Sequence, residues 1–427
     1  MDTIFAPATA QGRAGVSVIR ISGPDAAEAA TALAGDMPAP RKMGLRFLRD
    51  AGGVMLDQAL VVWFPGPGSF TGEDVVEFHV HGSIAVVSAV LNALGQTGAR
   101  IAEPGEFTRR ALDNDKMDLA QVEALGDLIV AETESQRQQA MGGLSGRLSE
   151  AIETWRTDLI RAAALIEATI DFADEDVPVD VTGEVRQLLD RTKLSIRAAL
   201  DGFNAAERVR LGFEVAIVGA PNVGKSTLLN VLAQRDAAIT SHVAGTTRDV
   251  IEVRMDLDGL AVTLLDTAGL REGQDEIETE GIARALARAE AADLRIILAE
   301  PGEVLPIELR DDDILRAPKG DVRNDKVAAI SGKTGLGVQE LVQDVTQTLA
   351  HKAQDAGLAT HERHRQAMAA ADGSLTTAMD MLRHGPERYD IAAEEIRTAI
   401  RGLEAVIGRI DVENLLDEIF SSFCLGK

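Results

Sequence analysis

The stretch LGFEVAIVGAPNVGKST, residues 211–227, decides the fold of the middle of the chain. Residues 213–218 are a short apolar run rich in β-branched side chains, the mark of a buried strand. The run breaks at Gly219, and Ala220, Pro221, Asn222 and Val223 lead into Gly224-Lys225-Ser226 and a helix-favouring segment from Thr227. This is G-x-x-x-x-G-K-S with the strand before it and the helix after it that the pattern requires. The glycines let backbone N–H groups wrap a phosphate, and the helix N-terminus adds a favourable dipole. Lys225 is placed to reach the β- and γ-phosphates, and Ser226 to hold a magnesium ion. The stretch implies a nucleoside triphosphate site.

Further nucleotide-handling elements follow in the order such a domain needs. Residues 243–249, VAGTTRD, are polar and broken by glycine, suiting a segment that closes on the γ-phosphate and Mg²⁺ through a threonine hydroxyl. Residues 250–257 and 261–265 form a hairpin across Asp258-Gly259, a strong two-residue turn signal. The second strand ends in Asp266-Thr267-Ala268-Gly269, where the acid can hold Mg²⁺ through water and the glycine lets a backbone N–H approach the γ-phosphate. Residues 328–330 lead into Ser331-Gly332-Lys333, a loop able to pack on a base. Four motifs in this order imply a GTPase-type, Ras-like doubly wound α/β domain. The guanine-reading pattern Asn-Lys-x-Asp has its best-placed match in Pro318-Lys319-Gly320-Asp321. Lys319 can cover the base and Asp321 can accept from guanine N1 and N2, but Pro318 has no side-chain donor to replace the asparagine. Guanine preference is therefore expected to survive through Asp321, with affinity reduced.

Composition bounds the remainder. A chain of 427 residues exceeds one core, so about two to four domains are expected. With 45% hydrophobic and 26% charged residues it is ordinary globular material. No run is long and apolar enough to span a bilayer, and the first residues lack the basic-then-apolar pattern of a leader. The single cysteine, Cys424, excludes an internal disulfide framework and suits a reducing cytoplasm. A net charge of −25 argues against broad electrostatic capture of nucleic acid, though a local basic patch or a basic partner leaves RNA open as a substrate.

Residues 1–117 read as an α+β domain, with strands at 15–22, 60–64 and 74–80 and helices at 24–34 and 83–94. Arg20, Glu77 and Lys116 are charged residues within or beside apolar runs, and by themselves read as solvated faces or internal ion pairs. His79 and His81 can share one side of a strand, but without a third ligand at suitable spacing they read as core or hydrogen-bonding histidines. From 118 to 208 prolines and glycines thin out, and Trp155, Leu159, Ala162, Ile166 and Ile170 mark one stripe of a long helix. The same texture returns over 351–427. Neither half closes a bundle alone, so one helical domain interrupted by an inserted nucleotide domain at 209–350 is the economical reading. Such a bundle moves when the insert moves.

Taken together, GAPNVGKS, GTTRD, DTAG and SGK resemble the motifs of the translation-factor class of small GTPases. The segments FAPAT, GVSVIRISGP, FTGEDVVEFHVHG, PGEFTRRALDNDKMDLAQVEAL and the terminal Phe423-Cys424-Leu425-Gly426-Lys427 extend the likeness over the whole chain. It is similar to the MnmE (TrmE) family of tRNA-modification GTPases, which ends in Cys-(Ile/Leu)-Gly-Lys. The resemblance implies an N-terminal tetrahydrofolate-binding and dimerising domain, a split helical domain and an inserted G domain. It implies a homodimer working with a flavoprotein partner, MnmG (GidA), to place an aminomethyl or carboxymethylaminomethyl group on carbon 5 of the tRNA wobble uridine. The one-carbon unit would come from 5,10-methylene- or 5-formyl-tetrahydrofolate. Motif by motif, the folate contacts fall on Arg20, Glu77, Lys116 and Lys427, which turns the reading of the first three from ion pairing towards ligand contact. Cys424 would lie nearby, with a chemical role conditional on a lowered pKa.

For hydrolysis, Leu270 follows Gly269 where many GTPases carry a water-positioning glutamine, and no arginine stands securely as a finger in cis. The family instead uses K⁺, which the resemblance places on Asn222 and backbone oxygens around Ser241, Val243 and Thr246. That cation would do an arginine finger's work between the phosphates. The surrounding loop, with His242, Ala244 and Gly245, would enclose it, and Thr247 matches the Mg²⁺-binding threonine. Glu278 matches the carboxylate that orients the attacking water through a bridge; without the family it reads as a solvated carboxylate at a helix start. Closing the K⁺ site would bring two G domains face to face and couple hydrolysis to bundle motion. Two other classes compete. A ribosome-assembly GTPase switch would want a basic RNA-binding module, against the charge of −25 and the Cys-Leu-Gly-Lys end. A folate-dependent one-carbon transferase with a merely regulatory G domain would modify tRNA without GTP hydrolysis.

Overall fold

The computed structural model describes residues 2–171, 182–234, 252–266, 286–300, 302–305, 307–325, 328–410, 416, 419–420, 423 and 426. They divide into two compact units, one of residues 1–126 with 404–427 and one of residues 127–403. The division falls within helices, nine residues beyond the first limit expected from composition.

The first unit is built on six strands: β1 (Ile4–Pro7), β2 (Ser17–Ser22), β3 (Gly44–Arg49), β4 (Met55–Phe64), β5 (Val75–Val80) and β6 (Arg100–Ile101). Their order across the sheet is β3-β4-β5-β2-β1-β6, antiparallel except for the parallel β1–β6 pair. Alternation along β2 sends Ile19 and Ile21 to one face, where they join Phe5, Val76 and Phe78 under the helices Ala26–Ala34 and Ile84–Gly95. Ile4 and Ala6 point the other way and pack with Ala102, Phe107 and Phe70, beside the helix Glu106–Asp113. This is the mixed α+β architecture expected of the first segment.

The last residues return to this unit. Leu416 and Phe420 pack on Leu119 and Val122 of the helix Leu119–Val130. Gly426, at φ +92°, lies so close to β1 that a β-carbon there would stand 1.8 Å from the Pro7 carbonyl oxygen. Only glycine fits that approach.

The second unit holds a five-stranded sheet made of β7 (Phe213–Gly219), β8 (Glu252–Leu257), β9 (Leu260–Asp266), β10 (Leu294–Leu298) and β11 (Ile314–Arg316). The order is β11-β10-β7-β9-β8, parallel apart from β8. Its core is layered on both faces: Val215, Ile217, Leu228 and Leu341 lie on one side, Ala216, Val218 and Ile297 on the other. The β8–β9 turn forms as its sequence predicts, with Asp258 at φ +53° and Gly259 at φ +87°.

Helices from before and after this sheet pack on one another. Trp155 Nε1 on Arg147–Asp171 donates to Ser195 Oγ on Thr182–Asp201 at 3.0 Å. Lys193 Nζ on the latter meets Asp372 Oδ1 on Glu362–Arg383 at 2.9 Å. The stripe read from the sequence is buried at Trp155, Leu159, Ala162 and Ile166, while Ile170, at the helix end, is 39% exposed. The chain enters and leaves the five-stranded sheet through a neck in which Gly202 touches Gly357 backbone to backbone, with Gly357 N–H donating to the Gly202 carbonyl at 2.9 Å. A β-carbon on Gly202 would stand 2.5 Å from Asp355 O and Gly357 N. Gly202→Ala is therefore expected to destabilise the protein by about 1–3 kcal/mol through overpacking, read as a lower urea midpoint at unchanged m-value.

Candidate functional site

The loop between β7 and the helix Lys225–Ala233 forms because parallel pairing brings two strand ends together. Ile217 of β7 stands opposite Asp266, the last residue of β9. Beyond Gly219 the chain turns with Asn222 at φ +59° and Gly224 at φ +116°, and Val223 N–H donates to the Ala220 carbonyl at 3.3 Å. Ser226, in the first turn of the helix, donates from Oγ to Asp266 Oδ2 at 2.6 Å. Lys225 is only 5% exposed, and its ammonium donates to the carbonyls of Gly219 at 2.7 Å and Ala220 at 2.9 Å. Burial lowers its pKa, while the Asp266 carboxylate pulls the other way. Asn222, Ser226 and Thr227 face solvent, and Val223 is buried. A buried cation, a hydroxyl and a buried carboxylate thus converge at one helix N-terminus, a cradle suited to an anion with a hard cation beside it.

The base-reading segments meet on the same side of the sheet. Gly320 N–H donates to the Ile330 carbonyl at 2.9 Å, which lays residues 318–321 along the loop at 331–335. Asp321 accepts from Ser331 Oγ at 2.8 Å, and that hydrogen bond holds its carboxyl below the usual carboxylate range. Ser331 is buried, while Lys319, Asp321 and Lys333 are exposed. Pro318 is buried, consistent with a residue that supplies packing instead of a hydrogen bond. Gly332 packs against the backbone of Thr227 and Leu228, so the base loop rests directly on the phosphate-loop helix. Ser241, His242, Val243, Ala244, Gly245, Thr246, Thr247, Thr267, Ala268, Gly269 and Glu278 lie outside the described residues, as do Cys424 and Lys427.

A second cluster occupies the outer face of the six-stranded sheet. Arg20 and Glu77 are register partners on β2 and β5, and Arg20 Nε donates to Glu77 Oε1 at 2.9 Å. The Arg20 guanidinium lies 5.1 Å from the Phe70 ring centre and 5.7 Å from that of Phe107. Lys116 brings its side chain against Gly72, in the loop that carries Phe70. The ion pair that the charges alone suggest is thus present, inside an aromatic setting that they do not suggest. Phe70 and Phe107 each open a Phe-Thr pair within the two distinctive segments of this region, and that recurrence was the available signal. His81 Nδ1 bonds Asp57 Oδ1 at 2.8 Å and His79 lies 3.5 Å from Glu77. The hydrogen-bonding reading thus holds for His81, whereas the buried His79 Nε2 has no hydrogen-bond partner among the described residues.

Comparison with known proteins converges on one family. Residues 3–116 match the family described as GTP-binding protein TrmE N-terminus, and residues 119–424 match the MnmE helical domain family. The tRNA modification GTPase MnmE of Roseobacter denitrificans is 62% identical over 428 residues, covering 100% of both chains. The proteins of the same name from Ruegeria sp. and Phenylobacterium zucineum are 60% and 48% identical, again over 100% of each chain. Likeness of this degree from end to end establishes kinship, and this chain belongs to the MnmE family.

Proposed function

We propose that this chain is a GTP hydrolase that acts in tRNA modification, installing a carbon-5 substituent on the wobble uridine with a flavoprotein partner of the MnmG type. The observation that carries the reading is the Lys225–Ser226–Asp266 constellation in a chain collinear with proteins named tRNA modification GTPases. Collinearity over the N-terminal segment favours it over a ribosome-assembly switch.

In this reading the backbone N–H groups of residues 222–227 hold the phosphates, and Lys225 exchanges the Gly219 and Ala220 carbonyls for the β- and γ-phosphate oxygens. Ser226, Thr247 and Asp266 would hold Mg²⁺. The Ser226–Asp266 oxygens already within 2.6 Å are the donor types this ion takes. Bound there, the metal neutralises charge on the β- and γ-phosphoryl oxygens. Asn222, exposed in the loop, would hold K⁺ together with Ser241, Val243 and Thr246. Glu278 positions water. Asp321, held by Ser331, accepts from guanine N1–H and N2–H, while Lys319 and Lys333 flank the ring.

Arg20, Glu77, Lys116 and Lys427 hold the tetrahydrofolate donor on the outer face of the six-stranded sheet. The fit rests on a charged pair bracketed by Phe70 and Phe107, which offers both a flat apolar wall and hydrogen-bonding groups to a pterin. The segment 1–117 is the donor and dimerisation domain, the helices at 118–208 and 351–427 form one split domain, and the G domain lies between them. The active species is a cytoplasmic homodimer.

GTP hydrolysis by the purified protein at matched ionic strength is expected to be strongly stimulated by K⁺ over Na⁺, and Asn222→Ala to abolish the difference. Equal rates in the two salts would remove the cation from the mechanism. Base recognition has its own test. Asp321→Asn replaces an acceptor by an amide that can donate to the O2 of xanthine, so preference should shift from GTP to XTP by about 10-fold or more. A variant retaining full GTP selectivity would dismiss Asp321 as the reader.

A further inference from the structure

Behind Arg20 and Glu77 lies a polar network to which no role attaches so far. Arg110, on the helix Glu106–Asp113, is 4% exposed. Its Nη1 donates to Glu73 Oε2 at 3.0 Å and to the Asp2 carbonyl at 2.7 Å, and its Nη2 to Glu106 Oε1 at 2.9 Å. Glu73 in turn accepts from Ser22 Oγ at 2.8 Å, and Ser22 Oγ is 2.7 Å from Thr71 Oγ1. Ser22 and Thr71 are both fully buried. The Thr71 carbonyl accepts from Asn114 Nδ2 at 2.7 Å.

Every link of this chain touches an element that carries part of the Arg20 cluster. Ser22 sits two residues beyond Arg20 on β2, hence on the same face of the sheet. Thr71 and Glu73 bracket Gly72, against which Lys116 packs, and Thr71 follows Phe70 directly. Arg110 lies one helical turn beyond Phe107. Loop 69–74 has no strand or helix of its own; Gly23 N–H donating to the Asp74 carbonyl at 3.1 Å and Gly66 N–H to Asp74 Oδ1 at 2.8 Å hold its far end, and the network above holds its middle. Buried charges of this kind stabilise little in net terms, but they specify geometry when each member is satisfied.

We infer that Arg110 and Glu73 form a positioning pair that seats the Phe70 loop over Arg20 and so shapes the donor pocket. The inference rests on the tetrahydrofolate reading of that pocket given above. Arg110 and Glu73 act through Phe70 and do not touch the ligand.

The test is calorimetric titration of the full-length protein with 5-formyltetrahydrofolate, made with wild type, Glu73→Gln, Phe70→Leu and the double variant. Glu73→Gln keeps the shape and an acceptor for Ser22 but removes the one of the three carboxylates on Arg110 that belongs to the Phe70 loop, leaving Asp2 and Glu106. Each single variant is expected to weaken binding by about 10-fold, and the double variant to be no weaker than the worse single, because both changes act on one loop. A role confined to stability would lower the melting temperature of Glu73→Gln while leaving its affinity at the wild-type value, and that result overturns the inference. Multiplying losses in the double variant would overturn it too, since the two residues would then act independently. If Glu73→Gln does not fold, Arg110→Lys gives a second route: it keeps the positive charge and should bind more tightly than Arg110→Met, and equal affinities in the two contradict the pairing. Failure of the wild-type protein to bind the folate at all would defeat the pocket reading itself, and this inference with it.

Discussion

The parallel pairing of β7 with β9 is the constraint on which the nucleotide cradle depends. It puts Ile217 opposite Asp266, and so brings the carboxylate at the end of one strand to the first helical turn that follows the other. β7 runs two residues past that level to Gly219 before the loop turns back, and Ser226 in the first helical turn then donates to the carboxylate at 2.6 Å. Lys225 then finds itself buried beside it, in a place where a lone ammonium is costly, and the turn offers two carbonyls to satisfy it. A phosphate brings to this spot the negative charge that the lysine lacks. Donors held in fixed positions contribute most to a reaction in which charge moves.

The first unit solves a different problem. Its sheet has one face covered by two helices and a dry core, and a second face on which Arg20, Ser22, Glu77 and the neighbouring loop keep polar groups under partial cover. Removing these groups from water costs free energy unless each finds a partner. Arg110 supplies much of the compensation by binding oxygens of Asp2, Glu73 and Glu106 together. The last residues contribute from the other end of the chain: Gly426 rests on Pro7 and Ala8, and Pro7 is the register partner of Ile19 on the strand that carries Arg20.

What was legible in the sequence is what local chemistry dictates. The apolar run, the glycines and the Lys-Ser pair at 213–227 specify strand, turn and helix within a few residues, and Asp258-Gly259 specifies its own turn through two positive φ angles. Helical periodicity located the long helix through Trp155, and four of its five stripe residues are buried while Ile170, at the helix end, is 39% exposed. The placing of Phe70 and Phe107 around Arg20 joins three separate elements that no spacing rule links, so the repeated Phe-Thr pair marks the two rings without saying what they enclose. The same holds for Arg110, whose partners lie 4, 37 and 108 residues away. A charged residue beside an apolar run looks the same on paper whether it is solvated, paired or poised for a ligand.

The central claim is that GTP hydrolysis in this chain serves tRNA modification. Nucleoside mass spectrometry of tRNA from cells whose sole copy carries Lys225→Ala addresses it most directly. The account predicts loss of the carbon-5 modified wobble uridine, with the variant protein still folded and present at normal abundance. Undiminished modification in those cells would contradict it.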